Sequence, residues 1–97
     1  MKDDINHDEF YDNLEKQLAE AETWPSEYLY KFIVPASIKK IAKIEKIFDH
    51  TGGEITTKDS SGGKYTSVTI RVEMDSPESV IDKYKEVGEQ VEGVISL

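Results

Sequence analysis

The sequence has no cysteine, a single tryptophan and only three prolines. The absence of cysteine excludes disulfides, thiolate metal sites, iron–sulfur clusters and cysteine nucleophiles. No apolar run reaches the roughly 18 residues that a membrane span needs, and the first residues hold no apolar core of signal-peptide length. We therefore expect a protein of the cytoplasm that makes no contact with membranes.

Acidic residues outnumber basic ones by 20 to 12, and the excess is unevenly distributed. The net charge is −8, and residues 1–27 contain nine acidic residues against two lysines. The rest of the chain is nearly balanced, and Arg71 is its only arginine. Affinity for nucleic acid comes from cations that neutralise phosphates, so this balance argues against a nucleic-acid partner. The length of 97 residues corresponds to one domain with a modest core.

The first segment of the chain has the pattern of an amphipathic helix. Phe10, Leu14 and Leu18 recur at intervals of four among polar residues in 8–22. Pro25 disfavours helical backbone at Trp24 and ends this segment. Residues 1–23 are thus predicted to form an acidic helical extension before a domain at 24–97. Its apolar stripe is expected either to dock on the open face of the sheet or to fray.

The remaining patterns alternate between strands and helices. Aromatic and β-branched residues predict a strand at 28–34, and isoleucines from Ile38 onward recur at helical spacing to residue 48. A short strand at 54–58, a glycine turn at 60–63 and a strictly alternating strand at 65–74 follow. Ser76 and Pro77 start the next helix, and residues 91–97 form a last strand. This order predicts an α+β, ferredoxin-like β-α-β-β-α-β sandwich, with a four-stranded antiparallel sheet and two helices on one face.

Two short runs carry a family resemblance that covers about residues 24–97. They are Trp24-Pro25 before Tyr28 and Tyr30-Lys31, and Ser60-Ser61 before Gly63, Tyr65 and the segment 67–70. In these runs the sequence resembles the YbeD-like family of small bacterial proteins, a family of unknown function with a fold similar to ACT regulatory domains. The resemblance implies the same element order and a regulatory role, including in lipoate metabolism. It brings no catalytic residue.

The alternating strand supplies the main candidate surface. Val68, Ile70 and Val72 are predicted to face the core, and the residues between them the solvent. An uncovered sheet face can contact another protein or a second copy of the chain. The residues predicted to form this interaction face are Lys31, Tyr65, Ser67, Thr69 and Arg71.

The sequence contains no pattern that indicates catalysis or metal binding. The paired carboxylates lie in polar segments where nothing raises a pKa, and the serines lack a nucleophile elbow. His7 and His50 lie too far apart in sequence to suggest a metal site. We therefore expect a non-catalytic domain that uses no metal or cofactor.

Two other functions remain open. The ACT-like resemblance implies sensing of a small molecule, such as an amino acid or a lipoyl compound, by the loops that hold Pro35, Ser37, Ser60 and Ser61. RNA-recognition modules share the topology but stack bases on several aromatics of the central strands. Tyr65 is the only aromatic predicted on the open face, so RNA binding is the weaker alternative.

Overall fold

The computed structural model describes residues 7–60 and 62–96 and has an α+β architecture. Four strands form one antiparallel sheet in the order β2-β3-β1-β4. This is the strand order of a ferredoxin-like sandwich, as the sequence predicts. None of the described helices is both long and apolar enough to cross a membrane. The elements are α1 His7–Ala21, β1 Ser26–Pro35, α2 Ile38–Phe48 with a 3-10 turn Asp49–Thr51, β2 Glu54–Asp59, β3 Tyr65–Met74, α3 Pro77–Gln90 and β4 Ile95–Ser96.

The two central strands explain why the sheet has one buried and one open face. β1 and β3 pair over their full ten residues, from Ser26 opposite Met74 to Pro35 opposite Tyr65. Side chains alternate between the faces of a strand, and two paired residues point to the same face. The pairing therefore collects the apolar residues of both strands on one face of the sheet. The predicted core residues Val68, Ile70 and Val72 are all buried. The predicted register of the alternating strand is therefore confirmed.

Both α2 and α3 begin at serine caps, and the sequence predicts the one at Ser76. The Ser37 hydroxyl accepts a hydrogen bond from the Lys40 backbone N–H, and Ser76 and Ser79 form a reciprocal capping box. The caps satisfy N–H groups that helix starts otherwise leave unpaired. Both helices bury one side in the core that also holds the inward residues of β1 and β3. The helix residues buried there are Ile44, Ile47, Phe48, Val80, Ile81, Tyr84 and Val87.

α1 docks on α3 at the helical side of the molecule. The ring of Tyr11 stacks on that of Tyr84 with centroids 6.4 Å apart, and Leu14 and Leu18 pack against the core. The Trp24 indole N–H donates to the Leu18 carbonyl over 3.0 Å, which ties the helix end to the start of β1. Both expectations for this segment, docking on the open face and fraying, are thus wrong over residues 7–21. The contact stripe uses Tyr11 in place of Phe10, which stays 60% exposed.

Two other details differ from the sequence patterns. Ile38 continues the isoleucine spacing of α2 but is 87% exposed, because it lies in the first turn while the helix buries its later residues, from Ile44. The last strand is shorter than predicted: β4 pairs with β1 only at Phe32 and Ile33. Val91 is instead buried at the C-cap of α3. One edge of the sheet is therefore formed partly by β4 and, where β4 does not pair, by β1.

Candidate functional site

The open face is the surface of the sheet turned away from the helices, and it is arranged in rows of residues that lie side by side across the strands. Lys31 lies opposite Thr69, which lies opposite Thr56. The structure places all five residues of the predicted interaction face in these rows, on β1 and β3. The complete rows are Pro35-Tyr65; Ile95-Ile33-Ser67-Lys58; Lys31-Thr69-Thr56; Leu29-Arg71-Glu54; and Glu27-Glu73.

Apolar side chains are frequent on the open face. Leu29 is 47% exposed, Tyr65 46% and Ile95 53%, and Ile33 is half-buried between them. No described element covers these residues, because α1, α2 and α3 all pack at the other side of the sheet. The predicted face had included only Tyr65 of this set. The alternation that placed Lys31 outward already marks Leu29 and Ile33 as its neighbours on the same face.

The charged residues of the open face are separated along the strands. Lys58 lies in the row next to the β2–β3 hairpin end, and we call this part the lysine end, whereas Lys31 lies in the middle row. Glu27 and Glu73 lie opposite each other in the last row, which we call the glutamate end. Between them, Arg71 lies across from Glu54 and balances it. The face thus has a cation toward one end and two carboxylates at the other, and the rows between them hold Lys31, the Arg71–Glu54 pair and the exposed apolar residue Leu29.

An open groove of about 540 Å³ marks the hairpin side of this face. Its walls come from β1, β2 and β3, and its residues are Ile33, Lys58, Asp59, Ser60, Tyr65 and Ser67. The Ser67 hydroxyl donates to the Lys58 carbonyl over 3.3 Å, and the Thr66 hydroxyl donates to the Asp59 carboxylate over 3.2 Å. The first bond lies on the open face and the second on the core face, where Thr66 is buried, so the two hold β2 against β3 from both sides of the sheet.

The loops predicted to bind a small molecule lie at this same end. The Ala36 N–H donates to the Lys64 carbonyl over 2.9 Å, so the β1–α2 turn contacts the hairpin turn. The hydroxyls available there already serve the fold: Ser37 caps α2, and Ser60 accepts from the Tyr65 N–H over 3.2 Å. Pro35 closes β1 opposite Tyr65. Ser61 lies outside the described residues.

A second cleft, of about 200 Å³, opens between α1 and the core. The hydroxyls of Tyr28 and Tyr84 form a 2.8 Å hydrogen bond at this cleft. Burial, followed by the hydrogen bond to Tyr28, raises the pKa of Tyr84, and burial also raises the pKa of Tyr30, whose hydroxyl donates to the Val80 carbonyl. Both phenols therefore keep their protons at neutral pH and act as hydrogen-bonding groups of the core.

A polar groove lies beside α3, and Lys83, which lines it, has a structural role. Lys83 donates to the Ile47 carbonyl over 2.9 Å and to the Glu86 carboxylate over 3.3 Å, and so covers the C-terminal end of α2. Among the side chains that the structure describes, in residues 9–60 and 62–96, no group of three or more histidines, aspartates or glutamates is placed to hold a metal ion. Of the large apolar residues that are exposed in this part of the chain, Leu29, Tyr65 and Ile95 lie on the open face.

Comparison with known proteins identifies the family. Residues 19–95 match the model of a family described as "Protein of unknown function (DUF493)", and the chain belongs to this family. The match is consistent with the YbeD-like resemblance drawn from the sequence. No curated protein and no solved structure matches the chain. Most of α1 precedes the matched residues, whereas the whole sheet except Ser96 lies inside them.

Proposed function

We propose that this family member is a non-catalytic protein-interaction domain whose contact surface is the open face. The observation that carries the proposal is the uncovered apolar centre formed by Leu29, Ile33 and Ile95. A protein contact buries such residues in its middle and keeps charged residues at its rim. Here Lys58, at the lysine end, and the glutamate end supply a rim of this kind.

The side chains of the open face favour binding over chemistry. Lys31, Arg71 and Tyr65 are large, and Arg and Tyr are enriched in protein interfaces. Thr69 offers a hydroxyl to a partner, and the Ser67 hydroxyl, which donates to the Lys58 carbonyl, can still accept a hydrogen bond. The strands below them are fixed by the β1–β3 pairing, so a partner meets a preorganised surface. A domain of this kind acts by contact, and regulation of a bound protein is the role we assign to it.

Photo-crosslinking from the open face tests this function. A benzoylphenylalanine in place of Lys31, in the full chain in its native cell, is expected to give a discrete covalent adduct. The matched control carries the same group in place of Lys39, which is also an exposed lysine but lies on α2. The adduct is expected to disappear when Leu29→Asp is added to the Lys31 probe. Equal adducts from both positions, or none from position 31, contradict the proposal.

Small-molecule sensing is a second candidate, supported by the contact between the two predicted ligand loops at Ala36 and Lys64. It is weaker, because the Ser37 and Ser60 hydroxyls are engaged within the fold. NMR titration with free amino acids and lipoyl compounds is the measurement. Binding there shifts the amide signals of residues 36–37 and 60–65 and leaves those of α3 unchanged. We expect no such shifts at millimolar ligand, and saturable shifts confined to these loops would establish sensing instead.

A further inference from the structure

The charge pattern of the open face is complementary to itself. We propose that the open face binds the open face of a second copy, through a two-fold axis that lies between the two sheets and runs perpendicular to the strands. This inference rests on the proposed function and names its partner. The surface it uses is the set of rows from Pro35-Tyr65 to Glu27-Glu73.

Symmetry leaves two limiting ways to place two such faces together. A two-fold axis parallel to the strands puts every row over the same row of the other copy, so Glu27 and Glu73 meet a second glutamate pair. Four carboxylates would then share one end of the contact, and like charges brought together are destabilising. An axis perpendicular to the strands reverses the order of the rows. The glutamate end of one copy then lies toward the hairpin end of the other, which has no acid in its last row.

The perpendicular axis also keeps each strand over its own counterpart. The row of Thr69 is the middle of five, so centring the axis there gives the largest overlap. On β2, Glu54 then faces Lys58 of the partner subunit, and the symmetry produces this pair twice. On β1, Leu29 faces Ile33 of the partner subunit, again twice. Opposite charges and apolar residues are matched by one operation.

Lys31 lies nearest the proposed axis and is the one cation brought close to its own copy. Lys31 lies on β1 next to Phe32 and Ile33, and these two residues are the ones that pair with β4. The edge of the sheet is therefore close to Lys31, and its flexible stem allows the ammonium group to reach water there. The stem itself stays over the apolar centre and adds to the contact.

The size of the face indicates a reversible dimer. With half a spacing at each margin, five rows along the strands cover about 33 Å and four strands cover about 19 Å, from the ordinary spacings of a sheet. Because β2 and β4 are short, the contact buries about 900 Å² in total, which is the size of a weak, transient interface. We therefore expect self-association that depends on concentration and weakens as salt screens the charge pairs.

A charge-reversal cycle on β2 tests both the dimer and its axis. In sedimentation velocity of the full chain over a concentration series, Lys58→Glu and Glu54→Lys are each expected to weaken self-association about tenfold, since each places like charges in two symmetric pairs. The double variant E54K/K58E restores opposite charges and is expected to recover wild-type association. Lys39→Glu on α2 makes the same change in net charge as Lys58→Glu, away from the face, and serves as the matched control for that variant.

The outcomes separate this inference from the proposed function. A wild-type chain that remains monomeric at every concentration overturns the self-association, and so does a Lys58→Glu effect no larger than that of Lys39→Glu. A dimer that the double variant fails to restore overturns the perpendicular axis. In the crosslinking experiment, an adduct of twice the 11.0 kDa chain mass supports the inference, whereas an adduct of any other mass leaves the proposed function standing and refutes this partner. Both substituted residues are exposed, so unchanged circular dichroism confirms that the fold is kept.

Discussion

Replacing Tyr84 with alanine is expected to lower the free energy of unfolding by about 3–5 kcal/mol, the range for loss of a large buried ring. Tyr84 lies at the junction of the sheet and two helices. Its ring centroid is 4.9 Å from that of Tyr30, 6.0 Å from that of Phe32 and 6.1 Å from that of Tyr28. On its other side it stacks on Tyr11 of α1. Removing the ring leaves a cavity that both β1 and α1 border.

Urea denaturation followed by far-ultraviolet circular dichroism measures this loss, and two variants control for it. Tyr84→Phe keeps the ring and removes only the 2.8 Å hydroxyl pair with Tyr28, so we expect a loss of about 1 kcal/mol. Tyr65→Ala removes an exposed tyrosine from the open face and is expected to change stability by less than about 0.5 kcal/mol. If Tyr84→Ala and Tyr84→Phe lower the free energy of unfolding equally, the contacts of the ring contribute little to stability.

The sheet could be predicted from the sequence because its signal is local. A strand with one buried face must alternate, and the run from Tyr65 to Met74 alternates without a break. Since a shift of one residue would bury Arg71 and expose Ile70, only one orientation of the strand was compatible with the composition. The same rule placed Lys31 outward on β1. The element order then limited the topology to very few arrangements.

The position of α1 could not be predicted in the same way. Phe10 and Tyr11 are adjacent, and either one completes a helical stripe with Leu14 and Leu18. The spacing of four favours Phe10, whereas the contact with Tyr84 selects Tyr11. That contact depends on a residue more than seventy positions away, and no periodicity within α1 contains it.

The candidate site was partly predictable for a related reason. Alternation identifies which residues of a strand share a face, but it does not reveal which residues of another strand lie beside them. The row that joins Ile95, Ile33 and Lys58 depends on the pairing of all four strands, of which β1 and β4 are distant in sequence from the β2–β3 hairpin. The separation of charges along the open face appears only when these rows are known. The loops at Ser37 and Ser60 illustrate the opposite case, because residues typical of binding loops serve as caps and turn contacts.

Introducing two carboxylates into the docked side of α1, with the double variant Leu14→Asp/Leu18→Asp, is expected to release this helix and lower the free energy of unfolding by about 3 kcal/mol. When the helix leaves, the partly buried side chains of Tyr11, Leu14 and Leu18 become exposed. We assign each of them about 1 kcal/mol, which is less than the value for complete burial. Aspartate at either position would place an unpaired charge against the aromatic core, so the helix is expected to leave the surface.

Trp24 reports the release directly, because it is the only tryptophan and its indole N–H bonds to the Leu18 carbonyl. Its emission is expected to shift to the red in the double variant under native conditions, while the sheet keeps its circular dichroism signal. The rest of the fold should persist, since the family match begins at residue 19 and includes nearly the whole sheet. Phe10→Asp is the matched control, as Phe10 lies on the same helix but is mostly exposed, and it is expected to leave the emission unchanged. An unshifted Trp24 spectrum in the double variant, together with an unchanged unfolding midpoint, would show that α1 does not stabilise the domain.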